Sequence, residues 1–508
     1  MRTITNTKDS FLQTDILYRN QFVMGPYWID KLTSWKKIKI SPTLHLTVHP
    51  NLNAYQLNTE QMSITLLGFI LSPTNPHATD ADLIKDLLLQ IQGSGNFFEH
   101  TYDFGGRWIL IINDGKNIRL FNDPAGLRQV FYTQVADTGD LWCASQPGII
   151  AETLNLQIHR EAVSFIDSYE FRSNPEFRFP ADTTPYREIK HLLPNHYLDL
   201  KTGKCYRYWP DKPFEELSLD DALPIISNKL VSLMESAVNR FDLALGITAG
   251  LDSRLVLAAS RTISDKISCM TVRQIDKPDD HPDVEIPSIL LTQVGLRHHL
   301  VKSSYILDDE FLKAFTQNTS LPHHVYAGDA QAILKYYGHE KVVATGSVSE
   351  IARCSFRKEL GKPCHHPVTP HDFARLQKMG TCQFVIKSFE NWLSGIPELY
   401  NYHILDMFEW EQGHGNWHAM CQLEFDIAWK DLFTPFNSRD LLITMLSVDE
   451  KYRKRPDYRL HHELILRLWP ELLTVPINPH MNKKPKKTKH FKSYIPKRIK
   501  QKIRKIFM

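Results

Sequence analysis

Apolar residues follow two rhythms in this chain, and the change between them falls near residue 200. In the first part the apolar runs are short and bounded by turn formers, which is the pattern of strands. Trp108-Ile109-Leu110-Ile111-Ile112 runs into Asn113-Asp114-Gly115, and Ile118-Arg119-Leu120-Phe121 follows as its hairpin partner. Beyond Asn122-Asp123-Pro124-Ala125-Gly126, residues 129–133 read as another strand. Residues 80–92 differ: Leu83, Ile84, Leu87 and Leu88 recur at helical spacing. Residues 1–60 are polar and predict little. An α+β unit rich in antiparallel strands is expected here.

Residues 196–200 read as a strand turning at Lys201-Thr202-Gly203-Lys204, and Tyr208-Trp209-Pro210 opens a polar linker. Ser218, followed by Asp220 and Asp221, is a helix N-cap candidate, and Leu223, Ile226, Leu230, Leu233 and Ala237 form a helical stripe. Strands and helices then alternate. Strands are expected at 242–247, 267–272, 298–301 and 341–345, helices at 254–260 and 286–294, and a tight loop at 248–253. Such alternation predicts a doubly wound parallel sheet with ligands at the carboxyl ends of its strands. Residues 370–475 predict mainly helices, and no internal repeat is present.

With 508 residues of ordinary globular composition the chain is long enough for two or three domains. No apolar run reaches the length of a spanning helix, and Met1 to Asn6 lack the layout of a secretory signal. Seven cysteines are scattered without a C-x-x-C pair, which argues against a disulfide framework or zinc knuckle and for a reducing cytoplasm. The net charge of +3 hides an asymmetry. Residues 482–508 hold twelve Lys/Arg and no acid, leaving 48 basic against 57 acidic residues elsewhere. An acidic body is not that of a nucleic-acid binder. In the tail, Ile495, Ile499, Ile503, Ile506 and Phe507 fall at near-helical spacing. Two readings stand, a basic amphipathic helix on an anionic membrane surface and a solvated charged terminus.

The chemistry concentrates at Ile247-Thr248-Ala249-Gly250-Leu251-Asp252-Ser253. A strand, a Gly-containing loop and a helix gather backbone N–H groups around an anion, and the helix dipole assists. Thr248 and Ser253 add hydroxyls, while Asp252 suits a phosphate site only if it holds Mg²⁺. A plain strand–turn–helix connection is the alternative. No Walker A sequence is present.

This loop resembles the S-G-G-x-D-S pyrophosphate loop of the asparagine synthetase family. The resemblance continues in the family's order. Phe104-Gly105-Gly106-Arg107-Trp108 through Asn113-Asp114-Gly115, with Asp123-Pro124-Ala125-Gly126-Leu127-Arg128, is similar to its amidotransferase domain. His191 to Leu198 and Arg207-Tyr208-Trp209 resemble its interdomain strand and linker. Pro435-Phe436-Asn437-Ser438-Arg439 resembles a late P-[FY]-L-D-x-R element, and His461 to Pro479 its C-terminal helix.

The resemblance implies an Ntn-hydrolase-like β-rich sandwich over 1–200 of class II glutamine amidotransferase type. It implies an ATP pyrophosphatase domain of the adenine-nucleotide α-hydrolase kind over 218–475, with a helical C-terminal part. The basic tail spans 482–508. The implied reaction is attack of a carboxylate on the α-phosphorus of ATP, giving an acyl-adenylate and pyrophosphate, then displacement of AMP by ammonia or an amine. Carried over by motif, Thr248, Ala249, Gly250, Asp252 and Ser253 hold pyrophosphate, with Asp252 on Mg²⁺. Ile247 and Val272 flank adenine and ribose, and Thr345 and Gly346 lie beside the nucleotide.

The chain departs from the family in three places. The amidotransferase half needs Cys as its second residue; Arg2 stands there, and no Cys precedes Cys143. The glutamine-holding element is also unrecognisable near Gly68-Phe69-Ile70. Glutamine hydrolysis is therefore not expected, and the nitrogen comes from ammonia or an amine. The family's G-x-G-x-D-E appears as Gly346-Ser347-Val348-Ser349-Glu350, which lacks the Asp. Glu350 is read as metal ligand or base, or else as an acid favoured at a helix N-terminus. For the family's late Lys the nearest match is Arg459, which keeps positive charge for an oxyanion, or is an ordinary surface Arg. Four His-His pairs (298–299, 323–324, 365–366, 461–462) are read as surface or core, since neighbours point apart. Phe408, Trp410, Trp417 and Trp429 are read as helix packing, and no G-x-S-x-G elbow frames a nucleophile. Two function classes follow: an ATP-dependent amide-forming ligase, and a nucleotide-binding scaffold without turnover.

Overall fold

The computed structural model describes residues 16–93, 97–361 and 367–479, and its strands form three sheets. Two are antiparallel, with six strands each. The first runs Lys190–His191, Phe131–Gln134, Leu141–Ala144, Phe22–Gly25, Leu44–Val48, Lys36–Ser41 across its width. The second runs Cys205–Arg207, His196–Asp199, Ile118–Asn122, Gly105–Asn113, Ser63–Leu71, Ala54–Asn58. Phe22, Met24, Leu46 and Val48 of one meet Leu67, Ile109, Ile111 and Leu120 of the other in a shared core, making a sandwich. Alternate residues of the Gly105–Asn113 strand, Trp108, Leu110 and Ile112, turn outward onto Leu83, Ile84 and Leu87 of the Asp80–Gly93 helix. The Pro147–Leu154 helix covers the far side through Ile149 and Ile150. The expected hairpin is present, with Ile109 opposite Asn122 and Asn113 opposite Ile118.

The second part carries a five-stranded parallel sheet. Its order is His298–Lys302, Ile267–Arg273, Leu243–Gly246, Val342–Ala344, Asp431–Phe433. In chain order this reads third, second, first, fourth, fifth. The winding therefore reverses between Leu243–Gly246 and Val342–Ala344, and a reversal of this kind opens a crevice at the carboxyl ends of those two strands. The helices Leu219–Arg240, Leu251–Ala259 and Arg459–Leu468 pack in one core with the sheet, and Asp309–Gln317 and Ala327–Tyr337 in another. Ser218 caps the first helix as expected, its hydroxyl accepting from the Asp221 N–H.

Three features depart from the expected pattern. The Asp431–Phe433 strand, the sheet's fifth, lies in a stretch expected to be helical. The Pro282–Gln293 helix starts four residues before 286, because His281 Nδ1 accepts the Asp283 N–H and caps it. Residues Glu409–His418 form a π-helix, a geometry that re-aims side chains and often marks a site. Arg2, Cys364, the 365–366 His pair and the 482–508 tail lie outside the described residues. Among the described residues no helix is long and apolar enough to cross a membrane.

Candidate functional site

The crevice at the reversal is walled by two segments. The first is the loop leaving Leu243–Gly246. Its polar groups bond largely to one another. The Thr248 N–H donates to Ser253 Oγ (3.1 Å), the Gly250 N–H donates to Thr248 Oγ1 (3.1 Å), and the two hydroxyls lie 3.0 Å apart. The Ala249 N–H donates to Asp283 Oδ1 (3.3 Å), whose other oxygen accepts from Lys277 Nζ (2.7 Å). The chain returns over the loop, with the Asn478 N–H donating to the Ala249 carbonyl (3.0 Å). Arg254, one turn into the helix, donates to the carbonyls of Leu472, Val475 and Pro476 and so holds that return in place.

The second segment follows Val342–Ala344. A Cβ on Gly346 would stand 2.4 Å from Asp252 C and 2.5 Å from Ser253 N, so only glycine lets this segment meet the start of the Leu251–Ala259 helix. Thr345 Oγ1 lies 2.7 Å from Ser347 Oγ. Val348 is then held at φ 80°, and Cys354 and Phe356 are also left-handed at φ 55° and 65°. A β-branched residue in that region is strained. The strain turns Ser349, Glu350 and Arg353 back toward the first loop. Ser349 Oγ and Arg353 Nη1 both donate to the Asp252 carboxylate, one to each oxygen.

The result is a compact charged cluster. Burial raises the Asp252 carboxyl, but Arg353, His461 and the two hydrogen bonds outweigh it and hold the group below its usual range. Burial, then the Asp252 charge, push Glu350 up to about 7. Glu350 Oε2 is buried with no hydrogen-bond partner among the described residues. Facing it, His414 Nε2 of the π-helix stands 3.6 Å away and 3.4 Å from Glu409 Oε1, ion-pair contacts rather than aligned hydrogen bonds. Burial opposes the charge on His414, yet Glu409 and Glu350 raise it above the ordinary imidazole range. Burial drives His461 down to about 4, and neither of its ring nitrogens has a hydrogen-bond partner among the described residues.

Of the residues picked out from the sequence, Thr248, Ala249, Gly250, Asp252, Ser253, Thr345, Gly346 and Glu350 come together at this crevice. Ile247 is buried behind the loop, its carbonyl accepting from Thr271 Oγ1 (2.8 Å), and Val272 is half-buried near the end of the neighbouring strand. Arg459 is not brought there. It is exposed, 3.4 Å from Glu463 and over the ring of Tyr452. Two residues of helix turn by ~200°, so the helix that points Arg459 to solvent points His461 inward. Sequence reading missed Arg353, Glu409, His414 and His461. Arg353 had a signal, lying one helical turn beyond Glu350; His414 had none, since only the π-helix aims it.

Asp252 and Glu350 are the hard oxygen donors a magnesium ion takes, and an ion between them would satisfy the orphaned Glu350 Oε2. They fit such an ion, although Arg353 already supplies Asp252 with positive charge. Two sizeable cavities lie away from the loop. One, of about 690 Å³, is lined by residues such as Tyr169, Asn174 and Arg375. The other, of about 780 Å³, is lined by Tyr102, Asp103, Trp209, Lys229 and Asp440 at the seam between the two parts. In the first part the described cysteines are poor nucleophiles. Burial raises the thiol of Cys143 well above its usual range and that of Cys205 to about 12.

No family model matches the chain, and no curated protein matches it. Solved structures do match. One, described as the allosteric regulatory enzyme of purine biosynthesis, is 10% identical, with 65% of this chain and 71% of that chain covered and a TM-score of 0.23. Another is the glutamine phosphoribosylpyrophosphate amidotransferase of B. subtilis complexed with ADP and GMP. It is 11% identical, with 71% and 79% covered and a TM-score of 0.21.

Proposed function

We propose that this chain is an ATP-dependent, amide-forming ligase of the asparagine synthetase kind, using ammonia or an amine rather than glutamine. The observation that supports this most is the meeting of the 248–253 loop with the 345–353 segment where the parallel sheet reverses its winding. In this reading the hydroxyls of Thr248 and Ser253 and the start of the Leu251–Ala259 helix bind the phosphates of ATP. Ile247 and Val272 border the adenosine. Asp252 and Glu350 would hold Mg²⁺, which when bound neutralises charge on the departing pyrophosphate. If Asp252 alone holds the ion, Glu350, pushed up to about 7 by burial and the Asp252 charge, is instead free to accept the proton of the attacking amine beside His414. The first part, read as an amidotransferase-like domain, serves as a scaffold without hydrolysing glutamine.

A second reading has its own support. The N–H groups of Thr248, Ala249 and Gly250 already have acceptors within the protein, and both oxygens of Asp252 are engaged. A loop satisfied in this way suits a nucleotide-binding scaffold, or a protein whose loop must rearrange to bind. ATP–pyrophosphate exchange, screened over small carboxylates with ammonia and without glutamine, separates the two. Exchange stimulated by a carboxylate supports the ligase. Nucleotide binding without exchange for any acid rules it out and leaves the scaffold.

A further inference from the structure

We propose that His323, Cys421 and Glu424 bind one zinc ion, which ties together two stretches of chain that are about a hundred residues apart in sequence. The three side chains are buried, and a nitrogen, a sulfur and an oxygen, one from each, all lie within 4.8 Å of one another. Cys421 and Glu424 stand three residues apart on the Ala419–Phe425 helix and so share one of its faces. His323 arrives from the turn ahead of the Ala327–Tyr337 helix.

The contacts around His323 call for a positive charge between its ring and Glu424, either a proton or a metal ion. Its Nε2 lies 2.7 Å from the Phe177 carbonyl, which can only accept, so Nε2 carries a hydrogen. In the neutral ring Nδ1 then presents a lone pair, and it faces the Glu424 carboxylate at 3.0 and 3.1 Å. Two acceptors at that distance repel unless a proton or a cation lies between them. A metal-binding histidine commonly donates its other ring N–H to a backbone carbonyl, which fixes the tautomer and orients the ring. One Glu424 oxygen also accepts the His323 backbone N–H (2.8 Å), which holds the carboxylate against the ring. The third donor, Cys421 Sγ, separates the two cases. A proton shared by His323 and Glu424 gives the sulfur no part, whereas zinc draws on imidazole, thiolate and carboxylate alike.

Charge also balances. Zinc with one thiolate, one carboxylate and a neutral imidazole is a net-neutral group, compatible with burial beside Arg178 and Glu176, whose opposite charges offset each other. Zinc ligands with bonds of ~2.0–2.3 Å stand on the order of 3.3–3.7 Å apart, so ring and carboxylate need to open by only a few tenths of an ångström. The ligands lie at 323, 421 and 424, with no C-x-x-C among them, which is why cysteine spacing gave no sign of the site.

The test uses the full chain, freed of metal by a chelator and then titrated with Zn²⁺ alone and, separately, with Co²⁺ as a spectroscopic probe. The expected result is one equivalent of Zn²⁺, a thiolate-to-cobalt charge-transfer band, and a higher Tm with Zn²⁺. Cys421→Ser should abolish the band and weaken zinc binding by more than the ~10–100-fold typical of a lost outer-shell partner. Glu424→Gln, which keeps the side chain's size, should weaken it too. Cys382→Ser, which alters an exposed thiol, should change nothing. If wild-type protein takes up no zinc, or its cobalt form lacks the thiolate band, the proposal fails whatever the variants do. It fails equally if Cys382→Ser abolishes the uptake, and His323–Glu424 is then a protonated ion pair.

Discussion

Arg107 and Asp426, 319 residues apart in the chain, form a bidentate ion pair of 2.6 and 3.0 Å inside the protein. Arg107 Nη1 also reaches Asp431 (3.0 Å), whose second oxygen accepts from Arg128 (2.7 Å). Asn437 joins the same seam, donating to Asp123 Oδ1 (2.8 Å) and accepting from the Ala125 N–H (2.8 Å). Arg107, Asp123, Arg128 and Asn437 belong to the stretches that resemble the synthetase family, and all four are spent here on joining the sandwich to the parallel sheet. Arg107→Ala would leave Asp426 buried and uncompensated, at a cost of ~3–5 kcal/mol. Urea unfolding measures it, and a change below ~1 kcal/mol would show that the seam does not depend on this pair.

Glu350→Gln should stabilise the protein in alkali. Its folded pKa of about 7 lies above the ordinary carboxyl value, so the folded state binds the proton more tightly and the ionised form carries a penalty. That penalty is absent below the ordinary carboxyl pKa, grows as pH rises, and is complete above about 7. The variant should therefore melt higher than wild type at pH 8 and together with it near pH ~4. Under the ligase reading the same substitution removes amide formation. Equal melting at both pH values would show that the Glu350 carboxyl titrates normally.

Arg353 and Arg459 should behave oppositely. Arg353→Ala strips Asp252 of its partly buried partner and should cost ~1–3 kcal/mol at neutral pH. Because the Asp252 pKa is depressed, the stabilisation is present above the ordinary carboxyl value and lost as pH falls through the folded one. The variant and wild type should thus converge in strong acid. Arg459→Ala removes only the exposed pair with Glu463 and the contact over the Tyr452 ring, together within ~1 kcal/mol at any pH. Denaturation across pH measures both, and a large loss in Arg459→Ala would mean that this side chain has a partner within the fold.

Gly346→Ala should separate the two walls of the crevice. The new methyl would meet the Asp252–Ser253 backbone at 2.4–2.5 Å, and backbone there cannot swing aside like the tip of a side chain. Overpacking of this kind costs ~1–3 kcal/mol. Nucleotide affinity should fall more steeply than stability, as read by calorimetric titration beside a thermal melt. Unchanged affinity would place the nucleotide elsewhere.

Local pattern carried much of the fold. The Asn113–Ile118 hairpin, the Ser218 cap and the strand–loop–helix at 243–259 are each written in short-range spacing, because turns, caps and buried strands depend on neighbours in sequence. The strand Lys36–Ser41 escaped notice because it is an edge strand. Its lysines keep the free edge from pairing with other chains, and they also erase the apolar alternation that would betray it. Asp431–Phe433 escaped because three residues are too few to show a period.

What the sequence determined by itself is the hairpin of residues 105–122, the capped helix that follows Ser218, and the strand, loop and helix at 243–259. Tertiary structure alone decided which side chains surround that loop. Arg353 reaches Asp252 through left-handed turns, His414 reaches Glu350 from a π-helix, and His461 rather than Arg459 faces inward from the last long helix. The reason is physical. Secondary structure follows from the nearest few residues, whereas the partner of a buried charge is set by how distant segments pack, and no local pattern encodes that distance.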